Sequence, residues 1–181
     1  ALGVGGYISN ESQWEPVSQD YALSLQEFYY DGFKIQDSSR FILRKRLGLD
    51  SNLPPGFSPR YSHGRSIGFL PPSGKTYQVE QLMGGVASYK KEVCRNFKFS
   101  TFFEGYGLYE DADFSLRVSQ TGPLYINTRA QLAHYHDYSG RPNAFLYGKM
   151  VVRNGWYVWR VKWNSPSWND RLKWNSITIL L

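Results

Sequence analysis

A single cysteine, Cys94, stands among 181 residues, so no internal disulfide can form and a disulfide-stapled secreted fold is excluded. No apolar run reaches the length of a membrane span, and nothing in these residues reads as a signal peptide. Internal repeats and low-complexity segments are also missing. Together these absences predict a soluble protein of the reducing, cytoplasmic side. Acidic residues are scarce in one region only. Residues 141–181 contain Asp170 alone against seven basic residues, whereas residues 1–140 balance 14 Lys+Arg with 14 Asp+Glu. The whole net charge of +6 therefore lies in the last 41 residues, as do five of the six tryptophans.

What is present suits one globular domain with a full-sized core, since 41% of the residues are hydrophobic. Aromatic residues make up 17% of the chain. Surfaces rich in such rings stack on sugars or bases, or sit at a membrane interface.

Along the chain, residues 1–8 read as a buried strand that begins with no start methionine, which suggests that a segment upstream has been removed. Residues 19–34 and 38–48 have patchy helical spacing. Residues 67–70 and 76–79 flank Pro71-Pro72-Ser73-Gly74, and a short hairpin is expected there. Ser88 reads as the cap of a helix from Tyr89 to Arg95, and a helix over 110–120 is closed by Gly122. Two short strands, 123–127 and 130–136, should follow. This alternation predicts an α/β class. In the tail, Phe145, Val152, Trp156, Trp159 and Trp163 fall on one face of a helix over 144–163, edged by Lys149, Arg153 and Arg160. Ser165-Pro166 reads as the start of a last short helix through Trp174.

The most informative run is Gly105-Tyr106-Gly107-Leu108-Tyr109-Glu110-Asp111-Ala112-Asp113. Three acids fall within four positions where a glycine-bearing aromatic loop becomes a helix. One acid there is ordinary dipole compensation. Three exceed that need and suggest a carboxylate held toward a ligand, suited to general-base work. Gly84-Gly85 reads as a simple turn or as a place where a ligand approaches the backbone closely. His134 and His136 alternate on a strand, and no third ligand for a complete zinc site stands near them. The basic, Trp-rich tail suits packing on the body together with contact with anionic lipid headgroups. Nucleic acid is the least favoured partner.

The order of these segments resembles the second half of a family 2 glycosyltransferase, an inverting enzyme of the GT-A fold. The resemblance is carried by Val79-Glu80-Gln81-Leu82-Met83-Gly84-Gly85, Tyr89-Lys90-Lys91-Glu92, the run from Phe103 to Arg117, and Ala130-Gln131-Leu132-Ala133-His134. Gly3-Val4-Gly5-Gly6 resembles the strand that follows that family's metal-binding Asp-x-Asp, and Arg153-Asn154 resembles the C-terminal region of some bacterial members acting on lipid-linked or surface-polysaccharide acceptors. The resemblance implies a partial GT-A (nucleotide-diphospho-sugar transferase) fold over residues 1–140 that lacks the nucleotide-binding half, followed by a helical tail over 141–181. It implies Asp111 as the catalytic base and Glu110 as its support. Gly84, Gly85, Glu80 and Tyr106 fall on the substrate side, and Asp113 and Arg117 are structural. His134 would meet a divalent cation, magnesium or manganese, whose other ligands lie mostly in the missing half. The implied partners are a nucleotide-sugar donor and a saccharide or lipid-linked acceptor, with peripheral contact at the inner face of the membrane. Phe102, Phe103 and Tyr106 suit stacking on sugar rings. The chain alone is expected to be inactive and to self-associate as a homodimer through its uncovered core face. The alternative is a carbohydrate- or membrane-binding fragment of the same fold without catalysis.

Overall fold

The computed structural model describes residues 1–18, 20–135 and 142–180. Its centre is a four-stranded mixed sheet. Strand β1 (Gly3–Ile8) lies in the interior of this sheet, while β2 (Glu15–Pro16), β3 (Glu27–Tyr30) and β4 (Phe33–Gln36) form a separate antiparallel sheet in the order β2-β4-β3. The chain continues through α1 (Ser39–Arg46), β5 (Thr76–Val79), β6 (Ala87–Tyr89), α2 (Lys91–Asn96), α3 (Glu110–Ser119), β7 (Leu124–Leu132), α4 (Ala144–Lys162) and α5 (Trp168–Ile179). The main sheet has the order β5-β7-β1-β6, with β1 and β7 parallel and both outer pairs antiparallel. The class is α/β.

Helix α3 is apolar on two stripes, and its position follows from that. Phe114 and Val118, four residues apart, join Leu70, Val79, Leu82, Val93, Leu124 and Ile126 in the core above the sheet. Ala112 and Leu116, also four apart, pack with Phe103 and Val158 toward α4. The helix is thus enclosed between sheet and tail along its length, with both ends reaching the surface.

Several expectations are corrected. The helical spacing over 19–34 gives way to the β3–β4 hairpin, because Asp31-Gly32 takes positive φ at both positions (50° and 84°) and closes a two-residue turn with Tyr30 opposite Phe33. No hairpin spans Pro71–Gly74. Residues 67–69 form a 3-10 turn, and β5 pairs with β7 instead. Ser88 does not cap a helix; it pairs with Val4 inside β6, so α2 begins only at Lys91. The two strands expected over 123–136 are one strand to Leu132, and His136 lies outside the described residues. Helix α5 starts two residues later than expected, on a Ser167–Asp170 capping box, and runs through Ile179.

The buried stripe of α4 is Asn154, Gly155, Val158 and Trp159; of the face expected from spacing only Trp159 is buried, and Phe145 is 80% exposed. Three contacts select this stripe. Asn154 Nδ2 donates to the Leu108 carbonyl (2.8 Å), Trp159 Nε1 to the Arg60 carbonyl (2.9 Å), and Lys162 reaches Glu80 (2.6 Å).

The segment between β2 and β5 is organised around Arg65, which is 2% exposed. It donates to both oxygens of Asp37 (2.6 and 3.0 Å) and to Asp50 (2.7 Å), and lies over the Phe28 and Phe41 rings (3.9 and 4.2 Å). Lys45 also pairs with Asp37 (2.8 Å). Such a buried cation is tolerated because two carboxylates and two aromatic faces answer its charge, although its Nε has no acceptor.

Candidate active site

The loop entering α3 is strained. Gly105, Gly107 and Tyr109 have φ of 69°, 70° and 73°, in the left-handed region. Gly107 needs to be glycine on two counts, since a Cβ there would also meet the Glu110 carboxylate at 2.9 Å. Tyr109 has no such freedom and bears a cost of about 1–2 kcal/mol in that conformation. Its ring stacks over His63 (5.7 Å, 19° between planes), and the Asn154 side chain holds the preceding carbonyl.

Asp111 is half-buried in the first turn of α3. Its Oδ2 accepts the Gly84 N–H (2.9 Å) and its Oδ1 the Ala112 N–H (2.8 Å), so the carboxylate is fixed in orientation. Gly84 and Gly85 are exposed, and a Cβ at Gly85 would meet nothing within 4 Å. The two glycines therefore leave the carboxylate open to an incoming group. Ser115 locks the arrangement: its hydroxyl donates to the Asp111 carbonyl (2.6 Å) and accepts the Leu82 N–H (3.1 Å). Sequence reasoning missed this residue, although a serine four positions after the acid was the available signal. Burial pushes the neighbouring Tyr89 phenol up to about 12, with the charge of Asp111 adding to it.

The other site residues are distributed around this centre. Glu110 is exposed and folds over Gly107. Tyr106 is 46% exposed and meets Tyr147 of α4 edge-on (6.2 Å). Phe102 and Phe103 turn inward instead: Phe102 stacks on Tyr157 (4.0 Å) beneath Arg153 (4.2 Å), and Phe103 is buried. Both oxygens of Glu80 accept from Lys162 (2.6 and 2.7 Å), and one also accepts the Ser58 N–H, so this carboxylate ties α4 to the body. Asp113 is fully buried against Arg117 (2.8 Å).

His134 follows β7, beside the loop after β1, at the carboxyl ends of the two parallel strands. Its backbone exchanges hydrogen bonds with the Asn10 side chain, and its Nδ1 lies 3.2 Å from Glu11. A small cavity of about 20 Å³ touches Glu11 on one side and, on the other, Met83 and Val86, which bracket the two glycines. Neither His134 nor the Gly84–Asp111 pair lines this cavity, and among the described residues no contact joins the two groups; His134 stands at the strand ends where open α/β sheets offer a crevice. Among the described residues no group of three His, Cys, Asp or Glu side chains could hold a metal. The residues present do not complete a cation site.

His63 is the residue that reasoning from sequence overlooked most. Its ring lies between Tyr109 and Trp174 (5.7 and 4.6 Å). Burial, then the charges of Arg44 and Arg40, lowers its pKa to about 4, so it is neutral at pH 7. A Cβ on Gly155 would overlap the His63 ring, which is why α4 has glycine where it crosses this point. No protein-family model matches the chain, and no curated protein or solved structure matches it either.

Proposed function

We propose that this chain carries the acceptor side of an inverting GT-A glycosyltransferase that moves a sugar from a nucleotide-sugar donor to a saccharide or lipid-linked acceptor, with Asp111 as general base. The observation that supports it is the Asp111 carboxylate, fixed by the Gly84 N–H at a helix start and open across two bare glycines. The mixed sheet with α3 laid across it is compatible with that fold.

A sugar hydroxyl is a weak nucleophile at neutral pH, so its proton must leave as it attacks. In the proposed step the acceptor hydroxyl enters over Gly85 and Asp111 takes its proton. The new C–O bond forms at the anomeric carbon from the face opposite the leaving group, and the bond to the nucleoside diphosphate breaks with its electron pair. Glu110 orients the acceptor, and the Tyr106–Tyr147 pair gives its ring an aromatic edge. The divalent cation that the resemblance implies would draw at most His134 from this chain, since the described residues hold no group of three ligating side chains. The tail supports contact with a membrane surface, because Phe145, Trp168 and Ile179 are at least 80% exposed, with Lys149 one turn after Phe145 and Arg171 over the Trp168 ring. No helix among the described residues is long and apolar enough to cross a membrane.

The same exposed rings favour a second reading, a carbohydrate- or membrane-binding module without catalysis. The test is Asp111→Asn in the full polypeptide that contains this chain. Transfer should fall by about 10²–10⁴-fold while nucleotide-sugar binding is unchanged. Retained transfer refutes the base assignment, and glycan binding without nucleotide-sugar binding by the unaltered protein selects the second reading.

A further inference from the structure

Two arginines lie close together in this molecule with opposite surroundings. Arg65 is answered by two carboxylates. Arg44, 3% exposed, has no hydrogen bond or ion pair among the described residues and lies only over the Phe41 ring (5.1 Å); its Nε, like that of Arg65, is buried with no acceptor. Burial and the charges of Arg40 and Arg65 lower its pKa, and Asp50, which acts against them, is already bonded to Arg65. A buried guanidinium answered by an aromatic face and by no carboxylate of its own is costly and calls for a partner from outside.

Space for that partner is present. Arg44 lines a cavity of about 160 Å³, well above the 10–15 Å³ or so that one water needs. Arg40, four residues earlier on α1, lines the same cavity from the exposed side. Gln81, Ser66 and Tyr109 add neutral polar groups, and no acidic residue lines it. The cavity also reaches Tyr109 and Ala112, the residues two before and one after Asp111.

We propose that this cavity is an anion site that receives a phosphoryl or diphosphate group through the Arg44 and Arg40 guanidiniums. Paired guanidiniums suit phosphate oxygens because their N–H groups match them in geometry and in charge. The site itself stands on Arg44 alone. Only the identity of the molecule bearing the phosphate, the lipid-linked acceptor or the nucleotide donor, rests on the glycosyltransferase reading.

The experiment uses inorganic pyrophosphate as probe, with calorimetric binding and thermal unfolding of the intact chain. Pyrophosphate should bind and raise Tm. Arg44→Met should weaken binding by about tenfold or more and, without pyrophosphate, should melt at a higher temperature than the unaltered chain, because a charge that no carboxylate answers has been removed. A purely structural Arg44 would give the opposite Tm shift. Arg40→Met, at an exposed position, keeps the test decisive should the first variant fail to fold: it should weaken pyrophosphate binding severalfold with Tm unchanged. No pyrophosphate binding, or binding indifferent to Arg40 and Arg44, overturns the proposal. Arg44-dependent competition by farnesyl diphosphate assigns the site to a lipid-linked acceptor, and competition by uridine diphosphate assigns it to the donor. Either result is separable from the Asp111→Asn assay, which reads transfer and not anion binding.

Discussion

Acid should loosen this fold through His63 at a pH where its carboxylates are still mostly charged. In the unfolded chain the imidazole titrates near its ordinary 6.5, and in the folded protein near about 4. The folded state is therefore the one that resists protonation, so stability is complete above pH 6.5 and declines as the pH falls toward 4. The full gap corresponds to about 3 kcal/mol. Between pH 7 and pH 5 the loss should be roughly 2 kcal/mol, a ceiling because the Arg44 cavity leaves the ring one open edge. Urea unfolding at both pH values measures it, with His63→Gln as the comparison. The variant keeps every carboxylate, so the difference between the two pH slopes isolates this ring. An NMR titration of His63 gives an independent check. A midpoint near 6.5, or an equal pH slope in His63→Gln, would refute the account of a ring held neutral between Tyr109, Trp174 and two arginines.

Gly155→Ala should destabilise the chain by about 1–3 kcal/mol in urea unfolding, since the added methyl overlaps the His63 ring and must push it off its stacking partners toward the Arg44 cavity. Arg65→Met should cost about 3–5 kcal/mol in the same assay, because it leaves the Asp37 and Asp50 carboxylates without their shared cation.

Much of the chain's order was legible where local chemistry agreed with tertiary packing. Helix α3, strand β1 and helix α4 fall close to where periodicity puts them, and the pairing of Asp111 with Gly84 joins two motifs 27 residues apart that sequence reasoning had linked only by order. The failures have physical causes. Asp31-Gly32 is a strong hairpin signal, yet patchy helical spacing obscured it. Ser88 looks like a cap, but a sheet edge needed its backbone for pairing with Val4. Periodicity located α4 but not its buried face, because that face is chosen by Leu108, Arg60 and Glu80 from distant parts of the chain. His63 and the Arg40–Arg44 pair carry no local motif at all. Their meaning arises only when α1, α3 and α4 converge on one cavity.

That convergence bears on the carboxylate itself. Tyr109 in the left-handed region costs about 1–2 kcal/mol. Against this stand one ring stack on His63, worth about 0.5–1.5 kcal/mol, and one hydrogen bond from Asn154 to Leu108, worth about 0.5–1.5 kcal/mol. The terms are nearly equal, so the turn that starts α3 holds its shape only while α4 and α5 hold His63 from behind. Trp174, stacked on Trp159 (4.6 Å), completes that backing. The tail is therefore part of what holds the turn before Asp111, and its tryptophans serve that loop as much as any surface they meet.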